Sequence, residues 1–126
     1  MLGYRTRQIR KRVLVIDDDP DMGQLMGLVL IRAGYDVDLA YDGRQGLRRF
    51  IEARPDVVVI DVRMPDIDGW VVLQHLHEVS SVPVVIITGT ASPEIEAKSH
   101  TLGATDFIAK PFRPNDLALR VARAAL

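Results

Sequence analysis

Three short stretches of the chain are apolar without interruption: Val13–Ile16, Val57–Ile60 and Val84–Ile87. Most of their residues are β-branched. Continuous apolar runs, as opposed to alternating ones, predict strands buried on both faces of a parallel sheet. Val37–Ala40 and Phe107–Ala109 are weaker runs that fit a second and a fifth strand. Between the runs the spacing turns helical. Met22, Leu25, Met26, Val29 and Ala33 share one face, with Asp19-Pro20 as cap and first helical residue and Gly34 as stop. Asp42 followed by Gln45 makes a capping box ahead of Leu47 and Phe50. Asp68-Gly69 opens a third helix carrying Val72, Leu73, Leu76 and Val79. Ser92-Pro93-Glu94 opens a fourth, closed at Gly103, and Pro114-Asn115-Asp116 opens a fifth with Leu117, Val121 and Ala124 inward. The order is strand–helix, five times over. Right-handed crossovers then require a doubly wound α/β fold with helices on both faces of a parallel sheet. In such folds function gathers at the carboxyl ends of the strands.

Composition narrows the class. The 126 residues suit one domain, and 48% hydrophobic with 26% charged residues excludes an intrinsically disordered chain. No apolar run approaches the ~20 residues that span a bilayer, and no apolar segment of a secretory leader follows the first charges, so no membrane association and a cytoplasmic location are expected. The absence of cysteine removes disulfides, thiolate metal sites and cysteine nucleophiles. Net charge is −1 but uneven: Arg5, Arg7, Arg10, Lys11 and Arg12 stand in a stretch without acids, which leaves the remainder acidic. Residues 1–11 thus form a basic tail, a solvated end or a contact for an anionic partner. Residues 12–126 form the domain. Its acidity argues against direct nucleic-acid binding.

The chemistry lies where the strands end. The first strand runs into Asp17-Asp18-Asp19, the third into Asp61, the fourth into Thr88 and the fifth into Lys110-Pro111. Parallel strands bring all of these to one edge of the sheet. Carboxylates packed together repel, and a cation must intervene or one pKa rises. With no histidine or cysteine beside them, an oxygen-seeking ion such as Mg²⁺ fits better than zinc. A carboxylate not consumed by the metal can attack phosphorus and form an aspartyl phosphate. The metal, the Lys110 ammonium and the Thr88 hydroxyl could neutralise the transferring group. Taken singly, each residue has a plainer reading: Asp19 as a helix cap, Asp17 and Asp18 as strand closers, Thr88 and Lys110 as surface residues. Their joint placement favours chemistry.

Four stretches make a resemblance plain: residues 13–20 (VLVIDDDP), 56–69 (DVVVIDVRMPDIDG), 83–89 (PVVIITG) and 103–112 (GATDFIAKPF). From about Arg12 onward the chain resembles the receiver domains of two-component response regulators. The resemblance implies the flavodoxin-like (βα)₅ fold with strand order 2-1-3-4-5. It implies Asp61 as phosphoacceptor, and Asp17, Asp18, Asp61 and the Arg63 backbone carbonyl as Mg²⁺ ligands. Thr88 would be the switch hydroxyl, Lys110 the partner of Asp61 and of the phosphoryl group, and Phe107 the switch aromatic. The Lys110–Pro111 peptide is expected to be cis, and Gly69 to serve a tight turn. Arg63 and Thr90 occupy the positions that tune loss of the phosphoryl group, with Arg63 as a partial shield. Asp106 and Arg120 are candidates for a pair across a phosphorylation-dependent dimer, an intrachain pair or two solvated charges being the alternatives. The donor would be a sensor histidine kinase or a histidine phosphotransfer protein, and phosphorylation would switch the face of the fourth helix, fifth strand and fifth helix for partner binding. No turnover of an external metabolite is expected. Gly89 and Phe107 depart from the family pattern, giving a more flexible loop and a switch without a tyrosine hydroxyl.

Other residues carry less. His75, His77 and His100 read as exposed surface histidines, and Trp70 as packing. Gly23 and Gly27 read as tolerated helix glycines or as room for a partner helix. Three other classes compete. A phosphorylation-independent module on the same fold is opposed by the intact Asp17, Asp18, Asp61, Thr88 and Lys110 set. A phosphohydrolase would want a second acid just after Asp61 and a substrate-covering cap. A nucleotide carrier would want a glycine-rich loop after the first strand.

Overall fold

The computed structural model describes residues 10–126, so Arg5 and Arg7 of the basic tail lie outside the described residues. Ten elements alternate: β1 (Arg12–Ile16), α1 (Pro20–Arg32), β2 (Asp36–Ala40), α2 (Gly43–Ala53), β3 (Val57–Asp61), α3 (Gly69–Val79), β4 (Val84–Thr88), α4 (Pro93–Thr101), β5 (Asp106–Ala109) and α5 (Pro114–Ala124). All strand pairs are parallel, in the expected order β2-β1-β3-β4-β5.

The continuous apolar runs are explained by two cores. Val13, Val15, Val57, Val59, Val85 and Ile87 face α1 and α5, where they meet Met26, Leu30, Leu117 and Val121. Leu14, Ile16, Val58, Ile60, Val84 and Ile86 face the other way, onto Trp70, Val72, Leu73 and Leu76 of α3. Every residue of β3 and β4 is buried, whereas the edge strands β2 and β5 are only partly so. A fully buried Leu or Ile contributes about 1.5–3 kcal/mol, so these central strands fix the frame on which the strand ends sit.

Helix starts follow the sequence signals. Asp19, Asp42, Asp68 and Ser92 each accept a hydrogen bond from a first-turn amide of α1, α2, α3 and α4. The box at α2 is only half reciprocal. Gln45 Oε1 takes the amide of Tyr41, not that of Asp42. α5 starts at Pro114 without a side-chain cap. Gly34 and Gly103 end α1 and α4 at φ 102° and 89°, where glycine avoids the Cβ penalty.

Three sequence expectations change. Gly69 serves a close approach and not a special turn conformation: a Cβ there would lie 2.5 Å from Val62 Cα and 2.6 Å from the Asp61 carbonyl oxygen. Gly23 and Gly27 are buried and give no room to a partner helix. Gly27 lets α1 lie close on β2, where a Cβ would stand 3.2 Å from Leu39, and Gly23 faces Tyr41 just after the strand. His77 is half-buried, with Nε2 3.1 Å from the Val82 carbonyl, unlike the exposed His75 and His100. Among the described residues no helix is long and apolar enough to cross a membrane.

Candidate functional site

The strand ends converge as their parallel order demands. β1 stops at Ile16, and the Asp17 amide donates to the Ala40 carbonyl, which ties the next residue to β2. The Asp17 side chain is fully buried, and its Oδ1 accepts the Asp19 amide at 2.9 Å. Asp61 closes β3 and is 6% exposed. Its Oδ1 accepts the Arg63 amide at 3.0 Å, and its Oδ2 accepts from Lys110 Nζ at 2.8 Å. The same ammonium stands 3.4 Å from Asp17 Oδ2. Lys110 is held by its own backbone, whose amide donates to the Thr88 carbonyl, and the Lys110–Pro111 peptide is cis. Asp18 is exposed beside this pair.

One ammonium does not balance these acids. Burial pushes the Asp17 carboxyl up from 3.8 to about 6, and the neighbouring Asp61 adds to the push, against the Asp19 amide and Lys110. Burial works against the Lys110 charge, but Asp61 and Asp17 outweigh it and raise its pKa. Asp17, Asp18 and Asp61 each offer a carboxylate oxygen, all within 4.8 Å of one another. An oxygen-only set with a surplus of negative charge suits a small hard dication and offers nothing to a thiophilic metal. The donor set therefore fits Mg²⁺.

The β4 side is built differently. Thr88 is buried, and its Oγ1 accepts the Thr90 amide at 3.1 Å. Thr90 Oγ1 in turn accepts from Arg63 Nη2 at 2.8 Å. Arg63 and Thr90 are both exposed, so this link bridges the β3–α3 and β4–α4 loops at the surface. A Cβ on Gly89 would meet no atom within 4 Å, so close packing does not demand glycine there. Phe107 lies on β5 opposite Ile86, half-buried against the α3-side core.

Asp106 and Arg120 pair within the chain. Arg120 Nη1 donates to Asp106 Oδ1 at 2.7 Å, because the first residue of β5 and the second turn of α5 stand side by side. Asp66 was not legible as a site residue. It accepts the amides of Gly43 and Arg44 at the start of α2, and although burial opposes this, those amides hold its carboxyl below the usual carboxylate range. Partners more than twenty residues away leave no local sequence signal.

The family model of the response regulator receiver domain matches residues 13–122, and the chain belongs to that family. Among curated relatives, it is 36% identical over 113 residues to the DNA-binding response regulator MtrA of Mycolicibacterium smegmatis, covering 90% of this chain and 50% of that one. It is 37% identical over 112 residues to the probable transcriptional regulator ycf27 of Porphyridium aerugineum, covering 89% and 47%. The chain thus spans about half the length of these relatives. A CheY-like receiver domain structure from Methanospirillum hungatei superposes with a TM-score of 0.87 at 28% identity, covering 93% of this chain and 94% of that one.

Proposed function

We propose that Asp61 accepts a phosphoryl group from a sensor histidine kinase or a histidine phosphotransfer protein, in a reaction that needs Mg²⁺. The observation that carries this reading is the Asp61 carboxylate itself. It ends a buried strand with Lys110 Nζ at 2.8 Å and two further carboxylates within reach. A nucleophile, a counter-cation and a cation cradle share one point.

An Asp61 carboxylate oxygen attacks phosphorus in line with the bond to the donor. That bond breaks, and the donor leaves with its electron pair. Lys110 loses a carboxylate oxygen as partner and gains a phosphoryl oxygen, so its ammonium stays paired throughout. Thr88 Oγ1 accepts the Thr90 amide and still has its own proton to donate. Turning that proton to a phosphoryl oxygen carries the β4–α4 loop inward. Asp17, Asp18, Asp61 and the Arg63 main-chain carbonyl would hold the ion. Bound Mg²⁺ would neutralise charge on the phosphoryl oxygens and relieve the repulsion among the acids.

Arg63 and Thr90 would set the lifetime of the product. Their hydrogen bond spans the two loops beside Asp61 and would obstruct an incoming water. Phe107 would answer the inward step of Thr88, and the face of α4, β5 and α5 would pass it to a partner. Self-association on that face is a further part of the proposal, and the Asp106–Arg120 bond is then an intrachain brace of it. The domain would turn over no external metabolite. It would relay its state to an effector, for which the DNA-binding regulators similar to it are the model, while binding no nucleic acid itself. A cytoplasmic location fits this role.

Intact mass after incubation with acetyl phosphate tests the reading. One phosphoryl adduct, dependent on Mg²⁺ and absent from Asp61→Asn, is expected. An adduct that persists in Asp61→Asn would move the phosphoacceptor to another residue, and none in the Mg²⁺-loaded wild type would leave the phosphorylation-independent interaction module.

A further inference from the structure

The helices are not held to the sheet alike. α1 buries Met26 and Leu30, α3 buries Val72, Leu73 and Leu76, and α5 buries Leu117 and Val121. α4 buries only Ser99, whose hydroxyl donates to the Ile95 carbonyl of the same helix. Its apolar hold comes from Ile95 and the following Leu102, both partly exposed. One further contact stands out against so thin an attachment. The Lys98 ammonium lies 4.9 Å from the centre of the Trp70 ring. Among the described residues Lys98 makes no ion pair, although Glu94 stands one turn before it on the same helix.

Trp70 is a firm platform. It is 7% exposed, its amide donates to Asp68 Oδ1 at 2.8 Å, and it follows Gly69, whose amide donates to the Val62 carbonyl. Gly69 is pressed against the Asp61 carbonyl itself. The ring is therefore fixed to the segment that follows Asp61, and the cation above it belongs to the helix that follows Thr88.

We propose that Lys98 on Trp70 is a cation–π tether that holds α4 in its resting position, so that α4 is released or reseated when Thr88 moves. The second half rests on the phosphoacceptor reading. The first half does not. A cation over indole at an exposed site shifts a local equilibrium by about two- to fivefold. On a helix with no buried apolar side chain that factor sets the open population directly.

Hydrogen exchange of the backbone amides of 95–102 tests this on the whole chain, because local opening and exchange scale together. Lys98→Met keeps the length of the side chain and removes the charge, and Lys98→Arg keeps the charge. The expected result is α4 exchange about two- to fivefold faster in Lys98→Met, unchanged in Lys98→Arg, with α3 and α5 unaltered in both. Equal rates in Lys98→Met and wild type would overturn the tether. So would equal acceleration by both substitutions, or acceleration that spreads to α3 and α5, since either would make Lys98 a packing stem only. Repeating the comparison after acetyl phosphate and Mg²⁺ tests the coupling. The gap between wild type and Lys98→Met should close in the phosphorylated chains, and a gap that persists would separate the tether from the switch. If no phosphoryl adduct forms, the phosphoacceptor reading fails while the resting-state result stands.

Discussion

The two sides of the strand-end site are made of different material. On the β1–β3 side, Asp17 and Asp61 are buried and bonded to backbone amides and Gly69 is clamped between backbone atoms, while Lys110 reaches both acids from the end of β5. On the β4–α4 side, the residues that follow β4 are open: Thr88 is the last buried one before α4. Gly89 and Thr90 are exposed, and α4 has no buried apolar residue. Charge is thus preorganised on the rigid side, where fixed partners cost nothing at the moment of reaction. Motion is left to the loose side, where few buried contacts resist it. A receiver needs both, and the chain separates them across one strand boundary.

Breaking the rigid side should cost the most. Gly69→Ala drives a Cβ into the Asp61 carbonyl and Val62 Cα. Neither backbone atom can yield without moving Asp61, so a loss of about 3 kcal/mol is expected in urea melts, at the upper end of overpacking costs. Gly89→Ala has open space and should fall within about 0.5 kcal/mol of wild type. Equal losses at the two glycines would erase the contrast.

Asp17 sharpens it through pH. Its carboxyl is raised from 3.8 to about 6 when folded. The folded chain therefore holds this proton more tightly than the unfolded chain. Without divalent ions its contribution to stability is present below about pH 4, declines through about pH 6, and is absent above. At about 1.4 kcal/mol per unit the ceiling is about 3 kcal/mol. In chelator, Asp17→Asn should then melt above wild type at pH 7, with the gap closing towards pH 4. Mg²⁺ should stabilise the wild type far more than the variant and reverse their order, and its affinity should weaken as the pH falls below 6. A pH-independent gap would remove the electrostatic account of Asp17.

Lys110→Met leaves Asp17 and Asp61 buried without their ammonium. A loss of about 2 kcal/mol is expected in chelator, less than for a fully buried pair because Lys110 keeps some contact with water. Mg²⁺ should restore much of it, read as a rise in melting temperature larger than that of wild type. The smallest effect is expected at the surface link. Arg63→Ala removes the hydrogen bond to Thr90 and should shorten the phosphoryl half-life a few-fold, with stability within about 0.5 kcal/mol of wild type. An unchanged half-life would end the shielding role of Arg63.

How far the sequence could be read follows the same divide. The apolar runs at 13–16, 57–60 and 84–87 located the buried strands to within a residue, because a strand covered on both faces has no polar positions to blur it. Parallel order then brought Asp17, Asp61, Thr88 and Lys110 to one edge. Contacts between segments distant in sequence stayed hidden. Asp66 on the start of α2, Lys98 on Trp70 and Arg63 on Thr90 join loops and helices whose mutual approach no periodicity encodes. Asp106 and Arg120 were recognisable as a pair, but only the packing of α5 beside β5 shows their contact within the chain.

The most direct test of the separation is an amide chemical-shift map of the wild type, recorded in Mg²⁺ before and after acetyl phosphate, with Asp61→Asn as control. The account predicts large shifts in residues 88–102 and at Phe107. It predicts small ones along β1 and at Met26 and Leu30 of α1, and none in the control. Shifts spread evenly over both cores, or confined to the β1–α1 side, would contradict it.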